Sequence, residues 1–259
     1  MPTTLYHGDC LELLPTLASG SIDLVLTDLP YGVTRNEWDS EIPMDKLWEQ
    51  WRRLAKPDCT FILFGQGMFT AKLMMSMPSL WKYNLVWDKH LISDFLNANK
   101  RPLRIHEDIV VFQQGTPPYN PQMYTGQPLH TRFRTGITKK EHAPDHNQSD
   151  NYGHIAYMDN TRDGATDKYP VSIVSFQKPH PAAAVHPTEK PVNLLRWLIA
   201  TYTNHGDAVL DCTMGSGSTG VAAVMEHRSF IGIETENQYF TLAKDRIGKA
   251  EAEMASRLF

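Results

Sequence analysis

Ala208-Val209-Leu210-Asp211-Cys212-Thr213-Met214-Gly215-Ser216-Gly217-Ser218-Thr219-Gly220 decides the fold. Its first four residues are a short apolar run closed by an acid, as in a buried parallel strand. Gly215, Gly217 and Gly220 follow at G-x-G-x-x-G spacing, and the reading continues as a helix over about 219–227. A bend of this kind lets main chain approach a ligand closely at the carboxyl end of a strand. A further strand over 230–233 leads to Glu234, 19 residues past Gly215, where an acid suits a ribose diol. Asp211 stands four residues before the first glycine, a position where it repels a pyrophosphate and attracts an ammonium.

Working outward, Pro191 opens a helix marked by Val192, Leu194, Leu195, Leu198, Ile199 and Tyr202, and a last helix begins near 237. In the first third, Ile22-Asp23-Leu24-Val25-Leu26-Thr27 reads as a buried strand that ends in a turn over 28–32. Met44, Leu47, Trp48, Trp51, Leu54 and Ala55 recur at helical spacing between Pro43 and Pro57. Residues 61–65, 84–87 and 109–112 read as three more strands, and this alternation of strand and helix implies an α/β sheet. Residues 113–191 hold 10 of the 17 prolines, and no internal repeat is visible. The expected organisation is one domain in two halves, 1–112 and 186–259, interrupted by an irregular recognition insertion over 113–185.

A chain of 259 residues, 41% hydrophobic and 21% charged, can bury a sizeable core. The formal net charge of -4 excludes a whole-molecule attraction to polyanions. Residues 82–140, however, carry nine basic side chains against four acidic ones, a local +5 that suggests a restricted polyanion-binding face. Cys10, Cys59 and Cys212 form no C-x-x-C pair, which argues against a zinc ribbon, a thioredoxin motif and a disulfide framework. No run of about 18 apolar residues occurs, so a soluble protein of the reducing cytoplasm with no membrane partner is expected. His142 and His146 read as solvated loop residues, and no metal is expected.

Asp28-Leu29-Pro30-Tyr31, at the carboxyl end of the first strand, resembles the D-P-P-Y motif of amino-group DNA methyltransferases, and 211–217 resembles their S-adenosylmethionine loop. His7-Gly8-Asp9-Cys10 and His186-Pro187-Thr188-Glu189-Lys190-Pro191 agree with that resemblance. The catalytic motif comes first and the cofactor loop last, which is similar to the permuted class called β. The resemblance implies a Rossmann-like, mostly parallel α/β fold in permuted order, with S-adenosyl-L-methionine as cofactor and DNA as partner. It implies catalytic roles for Asp28, Leu29, Pro30 and Tyr31. Cofactor binding falls to Asp9, Cys10, Thr188, Lys190, Asp211, Gly215, Ser216, Gly217 and Glu234, with Asp9 near the adenine and Lys190 near the methionine carboxylate. Leu29 departs from the usual proline of the motif. Since the group used there is the main-chain carbonyl, this bears on loop rigidity more than on chemistry. Aspartate in first position favours adenine N6 over cytosine N4 by family analogy.

Lys89, Arg101 and Arg104 are expected at DNA phosphates, and Arg132 and Arg134 in recognition. The resemblance leaves a homodimer and a cognate restriction enzyme open. Cytosine N4 methylation is the near alternative, followed by an RNA or protein-amide methyltransferase. A NAD-dependent oxidoreductase built on Gly215 to Gly220 and Glu234 is disfavoured by Asp211 and by the Asp28 tetrapeptide. A non-catalytic DNA-binding module finds support only in Leu29.

Overall fold

The computed structural model describes residues 2–32, 41–127, 148–149, 153–154, 166–178 and 189–256. In chain order the elements are β1 (Thr3–His7), α1 (Cys10–Leu13), β2 (Ile22–Thr27), α2 (Met44–Leu54), β3 (Ala55–Gly65), α3 (Met68–Ser76), β4 (Trp81–Ser93) and β5 (Arg104–Gln114). Short strands β6 (Tyr124–Thr125), β7 (Gln148–Ser149), β8 (Gly153–His154) and β9 (Asp167–Lys168) come next, then β10 (Ile173–Ser175). The chain closes with α4 (Val192–Tyr202), β11 (Ala208–Asp211), α5 (Ser218–Met225), β12 (Ser229–Glu234) and α6 (Asn237–Ser256).

Eight strands form one sheet in the order β1-β12-β11-β2-β3-β5-β4-β10. All neighbours are parallel except β5, which runs antiparallel to β3 and β4. Successive side chains alternate between two cores, as a sheet covered on both faces requires. On β3, Ile62 and Phe64 join Leu194, Leu198, Ala222 and Ile247 of α4–α6. Phe61 and Leu63 join Leu47, Trp51 and Leu73 of α2 and α3. The helical recurrence read over α2 thus becomes its buried face: Leu47, Trp48, Trp51 and Leu54 point inward.

Two compact units result, one of Met1–Gln122 with Val171–Phe259 and one of Met123–Pro170. Composition places the insertion at 113–185, whereas the compact division is narrower, because β10 pairs with β4 at the edge of the large sheet. Only Val174 of that strand is buried, so no apolar run announces it. In the second unit β6 pairs with β9 and β7 with β8, each antiparallel. Among the described residues no helix is long and apolar enough to cross a membrane.

Strands β2 and β11 are central neighbours, with Val209 opposite Leu24 and Leu210 opposite Val25. From β2 the chain continues to β3 on one side, and from β11 to β12 on the other. Their carboxyl ends therefore flank a topological switch point, where open α/β sheets take ligands.

Candidate active site

Parallel register brings the turn after β2 and the glycine bend after β11 out side by side, and they line one cleft of about 580 Å³. Asp28, Leu29, Pro30 and Tyr31 form part of its wall, as do Asp211, Gly215, Ser216 and Glu234. Asp9, Cys10 and Lys190 also line it. The two motifs touch directly. Thr213 Oγ1 donates to the Asp28 main-chain carbonyl at 3.0 Å, and Thr27 Oγ1 donates to Asp211 Oδ1 at 2.8 Å.

The glycine bend needs its glycines for two separate reasons. Gly215 and Gly217 have φ of 51° and 79°, in the left-handed region that side chains disfavour. Gly217 does not line the cleft; it lets α5 approach α6, since a Cβ there would lie 2.8 Å from the Ala243 Cβ. The far side of the bend is braced by Arg246 of α6, whose guanidinium donates to Ser216 O at 2.9 Å and to Glu189 Oε1 at 2.6 Å. Glu189 also accepts from Ser218 Oγ at 3.1 Å, so the segment before α4 is tied to the bend.

Three carboxylates, Asp9, Asp211 and Glu234, line the cleft on the side of the glycine bend. Burial pushes the Asp211 pKa up to about 6 against hydrogen bonds from Thr219 and Thr27 hydroxyls and the Thr213 N–H. A buried carboxylate of this kind gains from a cation placed against it. Glu234 accepts from Gly215 N and Glu236 N, both at 2.8 Å, and burial raises its pKa as well. Asp9 caps α1, its Oδ1 accepting from Leu11 N at 2.7 Å. An acidic lining with an open glycine bend fits an ammonium and a sugar diol and is unsuited to a pyrophosphate.

On the side of the turn after β2, Tyr31 Oη donates to Asp28 Oδ1 at 3.0 Å and its ring stacks on Phe69, centroids 4.6 Å apart. Leu29 is 3% exposed and packs into the core beneath the turn, which accounts for leucine being accepted where the motif usually has proline. Lys190, expected near the cofactor's methionine carboxylate, lies against the Asp28 turn in the same cleft. Its ammonium donates to Asp28 Oδ2, lies 3.4 Å from Glu107 Oε2 and sits over the Phe64 ring at 4.9 Å. A half-buried carboxylate, Asp28, and a buried one, Glu107, hold the cation there. Desolvation nonetheless raises the Asp28 pKa, with Lys190 as the main opposing influence.

Glu107 and Lys178 line the same cleft and were not singled out in the sequence. Burial pushes the Glu107 pKa up, but Lys190, Lys89 and Lys178 outweigh it and leave the value at about 2. Desolvation, Lys190 and Lys89 lower the Lys178 pKa. Glu107 shares its strand face with buried Ile109 and Val111, and that period-two pattern was a usable signal. Lys89, expected at DNA phosphates, must be corrected. It is 3% exposed and its ammonium lies 3.1 Å from Glu107 Oε1, in phase with buried Leu85 and Trp87. Arg101 is exposed and paired with Asp94; Arg104 begins β5. Thr188, Arg132, Arg134, His142 and His146 lie outside the described residues. Among the described residues no group of three or more His, Cys, Asp or Glu side chains is placed to hold a metal ion.

A mostly parallel α/β sheet with a bipartite cleft at its switch point defines a nucleotide-cofactor enzyme by fold and site. The DNA methylase family model matches residues 22–245, and the chain belongs to that family. It is 27% identical over 271 residues to the DNA adenine methyltransferase YhdJ of Escherichia coli (strain K12), covering 98% of this chain and 86% of that one. It is 26% identical to the type II methyltransferase M2.DpnII of Streptococcus pneumoniae, covering 94% and 88%. Among solved structures, the M1.HpyAVI–SAM complex superposes with a TM-score of 0.61 at 22% identity, covering 94% of this chain and 99% of that one. The cytosine-N4-specific PvuII DNA methyltransferase superposes with a TM-score of 0.65 at 16% identity, covering 97% and 92%, and shares the fold.

Proposed function

We propose that this DNA methylase transfers a methyl group from S-adenosylmethionine to the exocyclic N6 of adenine in DNA. The observation that carries the reading is the direct contact of the two motifs, Thr213 Oγ1 to Asp28 O at 3.0 Å, within one cleft. Aspartate in first position and the adenine-specific relative support adenine over cytosine. The relatives named type II methyltransferases support a setting beside a cognate restriction enzyme. Three unbridged, buried thiols suit a reducing cytoplasm.

When bound, the cofactor supplies a methyl group on a cationic sulfur, already a strong electrophile. The chain has to present the nitrogen. An exocyclic amine is a weak nucleophile because its lone pair is delocalised into the ring, and hydrogen-bond acceptors for its two hydrogens oppose that delocalisation. The Asp28 carboxylate and the Leu29 carbonyl serve as these acceptors. Pro30 fixes the turn that holds them. Tyr31 offers a face to a base drawn out of the duplex, after leaving Phe69 or stacking in series with it. Lys190 occupies Asp28 in the base-free protein, and Glu107, 3.4 Å away, receives the ammonium as the amine arrives. Asp211 holds the cofactor ammonium, and Asp9 and Glu234 its nucleoside. Alignment of nitrogen and methyl then supplies much of the rate.

The test is transfer of labelled methyl to DNA followed by identification of the modified nucleoside. N6-methyladenine is expected; N4-methylcytosine would move the assignment to that base, and no labelled DNA would overturn the reading. In the same assay Asp28→Ala abolishes transfer while S-adenosylmethionine binding, measured by calorimetry, persists.

A further inference from the structure

The hairpin joining β4 to β5 places large apolar side chains in water beyond the end of the sheet at which the cleft lies. Phe95 is 71% exposed and Leu96 81%, and Ile92 and Ile105 on its stem are exposed too. Scattered exposed apolar residues need no explanation, but this group is built and placed. At its start Asp94 takes a left-handed φ of 70°. The Asp94 carboxylate accepts from Asn97 Nδ2 and from the Arg101 guanidinium, while the Asn97 carbonyl accepts from Lys100 N at 2.8 Å and Arg101 N at 3.0 Å. These bonds hold Phe95 and Leu96 outward on a braced turn.

Register fixes where the turn lies. β3 ends at Gly65 opposite Asp108, so the hairpin runs past the end of β3, at the sheet edge from which Asp28 emerges. Glu107, at the hairpin base, lines the cleft with Asp28. Charge identifies the partner: Lys100, Arg101 and Arg104 accompany a single acid, Asp94, on a protein whose net charge is -4. A cationic collar around an apolar tip suits a polyanion with a stacked apolar interior.

We propose that this tip is a wedge that enters the DNA duplex beside the target base, with Phe95 and Leu96 filling the space the extruded base leaves. The proposal rests on the methyl-transfer reading and adds to it the element that keeps the duplex open. Extruding a base forfeits its stacking and pairing, and an apolar and an aromatic side chain in the gap restore part of the stacking. Lys100 and Arg104 meet the flanking phosphates, and Arg101 keeps the turn rigid through Asp94.

Both tip side chains are solvent-exposed, so the double variant Phe95→Ala/Leu96→Ala retains the fold. Its methyl transfer is compared with wild type on an oligonucleotide carrying the mapped target, as matched duplex, as duplex with the target opposite a mismatched base, and as single strand. On matched duplex kcat/KM falls by about tenfold or more, the worth of a lost base–aromatic stack. On mismatched duplex and single strand it stays near wild type. Fluorescence of 2-aminopurine at the target rises with wild type and not with the variant, and Phe95→Trp keeps duplex activity. Wild-type behaviour of the double variant on matched duplex overturns the wedge alone. So does an equal loss on all three substrates, or a wild-type dimer that the variant splits. A wild-type protein that methylates none of these substrates overturns the methyl-transfer reading and the wedge with it.

Discussion

Asp211 shows what burial does to a single carboxyl group. Its side chain is almost wholly buried and accepts from Thr27 and from Thr213 N, yet burial still pushes its pKa up to about 6. Binding an ammonium against it requires the ionised form. The carboxylate is fully ionised well above pH 6, and below that value a proton must first be released. S-adenosylmethionine affinity is therefore expected to hold from pH 8 to 7 and to weaken toward about tenfold per unit below pH 6. Asp211→Asn removes both the affinity and that acid limb. Isothermal titration across this range checks it, and an affinity flat down to pH 5 would remove Asp211 from the ammonium site. Lys190 is the complementary case, a buried cation shared between Asp28 and Glu107. Its partner Glu107 lies on β5, whereas Lys190 precedes α4. A residue's meaning in the cleft thus depends on chain segments far from it in sequence.

Elements set which of those segments meet. Helix α5 lies against β12 and α6 so closely that a Cβ on Gly220 would come within 2.4 Å of Ile247 Cδ1 and 2.7 Å of Phe230 Cε1. Replacing a helical glycine with alanine gains about 1 kcal/mol of propensity, whereas forcing a methyl into a packed core costs about 1–3 kcal/mol. Ile247 and Phe230 are buried core residues, so the second term is expected to win, and Gly220→Ala destabilises the protein by up to about 2 kcal/mol. A lowered denaturation midpoint at unchanged m-value is the measurement; a raised midpoint would mean the core yields freely. The same packing explains what was legible beforehand. β2, β11 and α2 could be read because their apolar spacing is set locally. β1 and α3 could not, since β1 alternates no apolar face and α3 follows a glycine with methionines on several sides. The catalytic turn and glycine bend were visible as motifs. Lys178 and Arg246 were not, because a charged residue becomes part of a site through strand pairing and helix docking that the chain does not spell out locally; for Glu107 the period-two pattern of β5 marks an inward-facing acid but not the site it joins. Lys89 shows the converse: a basic residue in a basic stretch turns inward to balance Glu107.

At the scale of the whole molecule, a net charge of -4 means that DNA has to be held by a local field. The β4–β5 hairpin carries such a field at the edge where Asp28 and Asp211 emerge. Its cations are not equivalent: Arg101 is already paired with Asp94, while no such pair is seen for Arg104 among the described residues. Each phosphate neutralised by a free cation contributes close to one unit to the dependence of log affinity on log salt. Arg104→Glu is therefore expected to weaken DNA binding and to reduce that slope by about one or more. Arg101→Gln should change the slope less, because that guanidinium is already engaged by Asp94, and should act mainly by loosening the turn. Lys249 serves as the control. It lies on α6, outside the hairpin, where it is exposed and paired with Asp245. Lys249→Ala should leave the slope alone. Fluorescence anisotropy with a labelled duplex between 50 and about 200 mM salt separates the three variants. If the Arg104 and Lys249 variants share one slope, the hairpin is not where this acidic protein meets DNA.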